Sequence, residues 1–566
     1  MFFSFDIFDT CLVRLCGTSG NLFEILGHQV ANQIATKDHT QPVDHDHLQR
    51  LFVAARKDYN GFLDDVYQKI NEIFPLPCSP KVMAGNEMSL EKKMLVPVVK
   101  TLNLVNRCRQ KGNIAFISDM YLPSSFLKDR LREYGFFKDG DLLFISDDIG
   151  AWKKDGSLYK YIHNKHNIPY RKWYHFGDNR NSDIRIPRQL GIRVHHLNYS
   201  YSPYEKEWLK LPKPFEVSAA IMAGLSRATR LSVPADEDQL LFVSDITAPL
   251  VTLWTSDILD DASRRGIERL YYCARDMHSA YHIAKILTRE LPQFNKQKIY
   301  YLFTSQKALE NNSQYTKSYY RQIGLDNTEL TAIVDSRTRG WSLDRLQHSI
   351  SMVPQKPMMS YYLWLDSKKI EERAALAKYP IHALFHTGQI TYDKRSQVSM
   401  IDKVSGLLEN GLSLNFHKKT IGYVERKDKS IGPVFETESD DINANMPNVR
   451  KIKYYNDALL KAYAIGFARC GLDKYTHDLI HSTLFPTLIR FASAPTKTYL
   501  NYLTRIWILG ADHPYVCSIF NSKNRKGRWL FGSIVYSLPS WVGKIWLSLR
   551  YNTIGRKIRK WIRTLE

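Results

Sequence analysis

Short apolar runs alternate with stretches of helical spacing through the first 200 residues. The runs are 1–5 (MFFSF), 113–118 (NIAFIS), 142–146 (LLFIS), 172–177 (KWYHFG) and 192–197 (IRVHHL). Between them, 124–135, 157–165 and 181–190 carry apolar residues three and four apart. Such runs read as buried strands, and their alternation with helices predicts a parallel sheet covered by helices. Residues 18–110 break the alternation. NLFEILGHQVANQI and DHLQRLFVAARKDYNGFLDDVYQKINEIF read as amphipathic helices inserted after the first strand, a cap over the sheet edge. Residues 198–215 carry three prolines and no periodic pattern, and we place a domain boundary there. A second alternating region follows, with strands predicted at 268–273, 298–303, 330–334 and 360–365 and a helix at 278–290.

At 566 residues the chain is long enough for two or three domains with separate cores. Its hydrophobic and charged fractions are ordinary, but the formal net charge is +22. That balance favours anionic partners. Seven scattered cysteines with no CxxC pair argue against a zinc site or a disulfide framework and fit a reducing compartment. No basic start followed by a long apolar run marks a secretory signal, so a cytoplasmic location is expected.

Polar chemistry gathers where the predicted strands end. FDIFDT (5–10) places Asp6, Asp9 and Thr10 just past the first strand, and Ser118 ends the second. Lys153 lies in WKKDGSLY, ahead of a helix, and GDNRNSD sets Asp178 and Asp183 after KWYHFG. The carboxyl edge of a parallel sheet is where ligands bind. A carboxylate nucleophile, a lysine, a hydroxyl donor and further acids suit phosphoryl transfer with an oxygen-loving cation such as Mg2+.

These four motifs, in this order, resemble the haloacid dehalogenase superfamily over residues 1–200. The resemblance implies a Rossmann-like domain with a helical cap at about 18–110 and magnesium-dependent phosphatase activity. It makes Asp6 the nucleophile, Ser118 the phosphate-binding hydroxyl and Lys153 the charge neutraliser. Asp6, Asp178, Asp183 and the Phe8 backbone carbonyl become the metal ligands. The chain departs from the pattern at Phe8, where family phosphatases usually carry an acid. Asp9, one residue on, is the candidate replacement for a function typically worth ~10²–10⁴-fold.

In the second region, LTAIVDSRTRGWS (330–342) resembles the phosphate-wrapping loop of phosphoribosyltransferases through Asp335, Arg339, Gly340 and Ser342. ERLYYCARD ends another strand at Arg275 and Asp276. With both halves considered, the chain resembles dual-domain ribofuranosyltransferases of bacterial surface-polysaccharide assembly, such as O-antigen or capsule. That implies an α/β chain of a haloacid dehalogenase domain (1–200), a phosphoribosyltransferase-like α/β domain (215–520) and a helical basic C-terminal region (521–566). One half would move ribofuranose 5-phosphate from phosphoribosyl pyrophosphate to a lipid-linked glycan acceptor, with Asp276 and Asp335 catalytic and Arg275, Arg339, Gly340 and Ser342 holding the donor. The other would remove the 5-phosphate. Related sequences often carry a Ser-Arg pair where this chain has Ser305–Gln306. From residue 523 onward, eleven Lys and Arg interleave with four Trp, which predicts attachment to the inner face of an anionic membrane rather than a span or nucleic-acid binding. The competing expectations are a phosphatase with a C-terminal acceptor- or partner-binding domain, a non-catalytic assembly protein, and a transferase using a sugar nucleotide.

Overall fold

The structure is a computed structural model. It describes residues 1–37, 45–58, 61–74, 76–210, 216–234, 243–274, 276–311, 314–338, 341–350, 357–365, 377–386, 419–436 and 447–470. The basic stretch 521–566 lies outside the described residues. No described helix is long and apolar enough to cross a membrane. Two compact units emerge, Met1–Ala235 with Arg469–Gly471, and Asp236–Ala468 with Leu472–Glu566.

The first unit is built on a five-stranded parallel sheet. Its strands are β1 (Phe2–Phe5), β4 (Asn113–Ser118), β5 (Leu142–Ile145), β6 (Trp173–Gly177) and β7 (Arg193–His196), in the order β5-β4-β1-β6-β7. β1 therefore pairs with β4 on one side and β6 on the other, in register Phe5↔Phe116 and Phe5↔Phe176. Phe5 is fully buried and its ring stacks on Phe176 at 4.7 Å. Burying one such side chain stabilises the fold by about 1.5–3 kcal/mol. This aromatic row lies directly beneath Asp6. The strand order reverses between β1 and β6, which makes their carboxyl ends the switch point of the sheet.

Between β1 and β4 the chain leaves and returns through an antiparallel ribbon, β2 (Leu12–Arg14) against β3 (Leu95–Pro97). Beyond the ribbon sit α1 (Ser19–Lys37), α2 (His45–Asp58), α3 (Leu63–Ile73) and α4 (Pro80–Met94). α3 shows why they form: Leu63, Val66, Tyr67 and Ile70 recur at helical spacing and are its buried face, while Asp64 and Asp65 occupy the first turn. Two buried ion pairs tie this region together, Arg14–Glu91 at 2.7 Å and Arg56–Glu87 at 2.8 Å, with the Tyr67 hydroxyl donating to Glu87 at 2.6 Å. α5 (Val99–Arg109) packs on β4 and β1, so the inserted helices end at Met94. Completing the sheet's cover are α6 (Ser124–Glu133) and α7 (Ser157–His166). The unit continues past residue 215 into α8 (Glu216–Leu231), which packs on α1 and β2.

The second unit holds another five-stranded, wholly parallel sheet. After helix α9 (Ala248–Arg264) come β8 (Arg269–Cys273), α10 (His278–Glu290), β9 (Lys298–Leu302), β10 (Thr331–Thr338), α11 (Trp341–Ile350), β11 (Met359–Leu365) and β12 (Ile381–His386). The order β12-β11-β10-β8-β9 reverses between β8 and β10. The strand at 381–386 adds to those predicted from the sequence; its IHALFH pattern is short and mixed, as befits an edge.

Candidate active site

At the first switch point, β1 delivers Asp6 and β6 delivers Gly177 and Asp178, while Asp183 follows in a wide turn over Arg180–Arg185. Asn179 starts that turn by accepting from the Asn181 and Ser182 amides. Gly177 is required by space: a Cβ there would lie 2.5 Å from the Asp183 carboxyl carbon. Asp6, Asp178 and Asp183 each offer a carboxylate oxygen, and these oxygens lie within 4.8 Å of one another. The Thr10 hydroxyl donates to Asp178 at 3.4 Å.

Lys153 enters this cluster from a short turn. Its ammonium donates to Asp6 Oδ1 at 2.5 Å and to Asp183 Oδ1 at 2.7 Å. The turn is fastened to the loop after β4, because Asp119 accepts from the Lys153 and Lys154 amides at 2.7 and 3.2 Å. All three charged groups are buried. Burial works against the Lys153 charge, yet Asp6 and Asp183 outweigh it and raise its pKa. Burial also raises Asp183, but Lys153 and His175 reverse that and hold it well below the usual carboxylate range. For Asp6, burial wins over Lys153 and the pKa is raised. Asp178 is pushed up to about 6 by burial and by the Asp9 and Asp183 charges.

Behind the carboxylates runs a buried polar chain that sequence reasoning missed. Trp173 Nε1 donates to Ser4 Oγ at 2.6 Å, and Ser4 Oγ meets His175 Nδ1 at 2.7 Å. His175 Nε2 lies 3.2 Å from Asp183 Oδ1 and 3.0 Å from the Tyr159 hydroxyl, which itself donates to the Ser182 carbonyl. Burial lowers the His175 pKa, favouring neutral imidazole. The network then assigns the proton to Nε2, donating toward Asp183, with Nδ1 accepting from Ser4. Ser4 and His175 are cross-strand partners. The available signal was a polar residue inside each apolar run.

The remaining expected residues fall as follows. Ser118 ends β4, is buried, and lies in register with Ile145 of β5. The Phe8 ring sits under the Arg14 guanidinium at 4.4 Å, so no acid occupies that position. Asp9 adopts a left-handed φ of 57° and pairs with Arg227 of α8 at 2.6 Å.

In the second unit, Asp335 on β10 and Asp276 after β8 meet at that sheet's switch point. The Ser336 hydroxyl donates to Asp276 at 3.3 Å and its amide to Asp335 at 2.8 Å. Burial and the Asp276 charge push Asp335 up to about 7. Ser305 caps the next helix, accepting from the Ala308 amide at 3.1 Å. Ser342 falls in the first turn of α11; Arg275, Arg339 and Gly340 lie outside the described residues.

No protein-family model matches the chain, and no curated protein matches it. Solved structures do. The HAD (haloacid dehalogenase) phosphatase from Thermococcus onnurineus is similar at 17% identity and a TM-score of 0.26, over 35% of this chain and 86% of that one. The HAD-hydrolase YfnB from Bacillus subtilis, bound to magnesium, is similar at 16% identity and a TM-score of 0.24, over 36% of this chain and 88% of that one.

Proposed function

We propose that the first unit is a magnesium-dependent phosphomonoester hydrolase of the haloacid dehalogenase type. The observation that carries this is the Lys153 ammonium clamped between Asp6 and Asp183, with Asp178 completing a three-carboxylate cluster at the switch point. An all-oxygen donor set fits a hard cation. Asp6, Asp178, Asp183 and the Phe8 carbonyl would hold magnesium, which when bound supplies positive charge to the phosphate oxygens. An Asp6 oxygen attacks phosphorus, forming the aspartyl-phosphate as the bond to the leaving oxygen breaks. Lys153 and the Ser118 hydroxyl stabilise the charge on the phosphoryl group. The leaving oxygen takes up a proton, which we assign to Asp9 because Phe8 fills the usual acid's position. Water then attacks phosphorus, giving a proton to the Asp9 carboxylate as the bond to Asp6 breaks, which releases phosphate and restores both acids.

The second unit extends the reading. Asp276 and Asp335 converge at its own switch point, where they suit the ribose hydroxyls or the cation of a phosphoribosyl pyrophosphate donor. Transfer of ribofuranose 5-phosphate to a lipid-linked glycan acceptor would create the phosphomonoester that the first unit hydrolyses. The whole would be a bifunctional ribofuranosyltransferase of surface-polysaccharide assembly, held at the cytoplasmic membrane face by its basic tail. To test this, the protein is incubated with magnesium, phosphoribosyl pyrophosphate and a synthetic lipid-linked acceptor, and acceptor mass is followed. Gain of a phosphoribosyl unit and then loss of phosphate is expected. Asp6→Asn should stall at the phosphorylated product and Asp335→Ala should block the first step. Finished product from Asp6→Asn would refute the hydrolase assignment.

A further inference from the structure

Asp9 is held from far along the chain. Its φ of 57° is one that side chains other than glycine rarely adopt. Its carboxylate, 39% exposed, accepts from Arg227 Nη1 at 2.6 Å, whereas the Arg227 side chain is only 8% exposed. Arg227 is itself fixed: its Nε donates to the Tyr199 carbonyl at 2.7 Å, and its guanidinium lies 5.1 Å from the centre of the Tyr201 ring. α8 can deliver this arginine because it touches the turn after β2, residues 15–17, backbone to backbone. A Cβ at Gly224 would lie 2.3 Å from the Leu15 carbonyl oxygen and 2.5 Å from the Gly17 nitrogen. One turn further on, Arg230 pairs with Glu205 through two bonds of 2.9 Å and donates to the Ser200 carbonyl at 3.0 Å.

A solvent-facing ion pair contributes little, because water screens both charges. This one has a buried arginine, fixed by the Tyr199 carbonyl and the Tyr201 ring, reaching out to a left-handed residue. That residue stands between Phe8 and Thr10, and the Thr10 hydroxyl contacts Asp178. We infer that Arg227 is a positioning residue of the first unit's site: through Asp9 it holds the turn Phe8–Thr10 against the Asp6–Asp178 side. The contact geometry stands alone; its catalytic consequence rests on the hydrolase reading above.

The test uses the full chain with Arg227→Ala, Arg227→Lys, Asp9→Asn and the Arg227→Ala/Asp9→Asn double variant. Turnover of p-nitrophenyl phosphate with magnesium and backbone hydrogen exchange of residues 6–12 are measured. Arg227→Ala should lower kcat about 10–100-fold with KM little changed, the scale of a misplaced catalytic group. Arg227→Lys should recover part of the loss. In the Asp9→Asn background Arg227→Ala should add almost nothing, because the two residues act as one unit. Exchange at residues 6–12 should quicken while β4 keeps its protection. If Arg227→Ala does not fold, Arg227→Lys carries the same cycle. Wild-type kcat in Arg227→Ala, full additivity with Asp9→Asn, or unchanged exchange at residues 6–12 would each overturn the inference. If wild type hydrolyses no phosphomonoester, the hydrolase reading fails and hydrogen exchange alone decides: quickening upholds the positioning role, and no change overturns it.

Discussion

Gly177→Ala isolates the geometry of the carboxylate cluster without altering any charge. The backbone at Gly177 is not left-handed, so alanine introduces no torsional strain of its own. Its methyl would stand 2.5 Å from both Cβ and Cγ of Asp183 and 2.6 Å from Oδ2. Ordinary contact begins at 3.4 Å, so Asp183 must retreat by about 0.9 Å, the difference between 3.4 and 2.5 Å. Asp183 holds Lys153 at 2.7 Å, the Asn179 amide at 3.0 Å and His175 at 3.2 Å, and such a retreat disrupts all three. Overpacking of this kind costs roughly 1–3 kcal/mol, and a misplacement near 1 Å costs ~10²-fold in rate. The expected result is a kcat for p-nitrophenyl phosphate about 100-fold lower, weaker magnesium binding by calorimetry, and a Tm a few degrees lower. A variant with wild-type kcat and wild-type magnesium affinity would refute the claim that Asp183 must stand where it does.

Lys153→Met should strand the Asp6 and Asp183 carboxylates in the interior, destabilising the first unit by ~3–5 kcal/mol in urea unfolding, with partial recovery on adding magnesium. Ser4→Ala should leave Trp173 Nε1 and His175 Nδ1 without their shared partner, costing about 1–3 kcal/mol by the same measurement while Asp6 chemistry persists at reduced rate. For Asp335, raised to about 7, the folded state binds more protons than the unfolded state between about pH 4 and 7, so stability falls as pH rises through that window. Asp335→Asn should therefore raise the Tm of the second unit's transition at pH 8 and leave it unchanged at pH 4. Chelation of magnesium should abolish p-nitrophenyl phosphate turnover, with recovery on adding the metal back; unaltered turnover in chelator would count against a metal-assisted mechanism.

Most strands of both sheets were legible because each is a brief apolar run, the mixed edge strand 381–386 excepted, and β1, β4, β5 and β6 end in or are followed at once by a carboxylate, hydroxyl or glycine. That rule picks out Asp6 and Asp178, the motif resemblance adds Lys153 and Asp183, and the structure brings the four together. Ser4 and His175 could not be picked out in this way. A lone polar residue in an apolar strand gains meaning only from the register that sets the two side by side, 171 residues apart. Arg227 was harder still, since α8 follows the proline-rich stretch that reads as a boundary, and its arginine resembles any other on a helix. The contact of the Phe8 ring with Arg14 goes with Glu91 fixing that arginine, a contact spanning the inserted helices.

The placement of β1 has a consequence for biosynthesis. This strand lies at the centre of its sheet, yet neither partner exists when it is made: β4 and β6 pair with it across separations of more than 100 residues. At ~5–20 residues per second, the ribosome needs roughly 10–30 s to travel from Ser4 to His175. Until β4 emerges, about 110 residues on, the FFSF segment has no native neighbour, and it lacks its second until β6, while the helices of 19–94 can already associate locally. Long-range parallel pairing is also intrinsically slow. The nascent chain thus carries Asp6 at the end of an unpaired apolar strand, and protecting that strand from premature association falls to the early helices or to a chaperone.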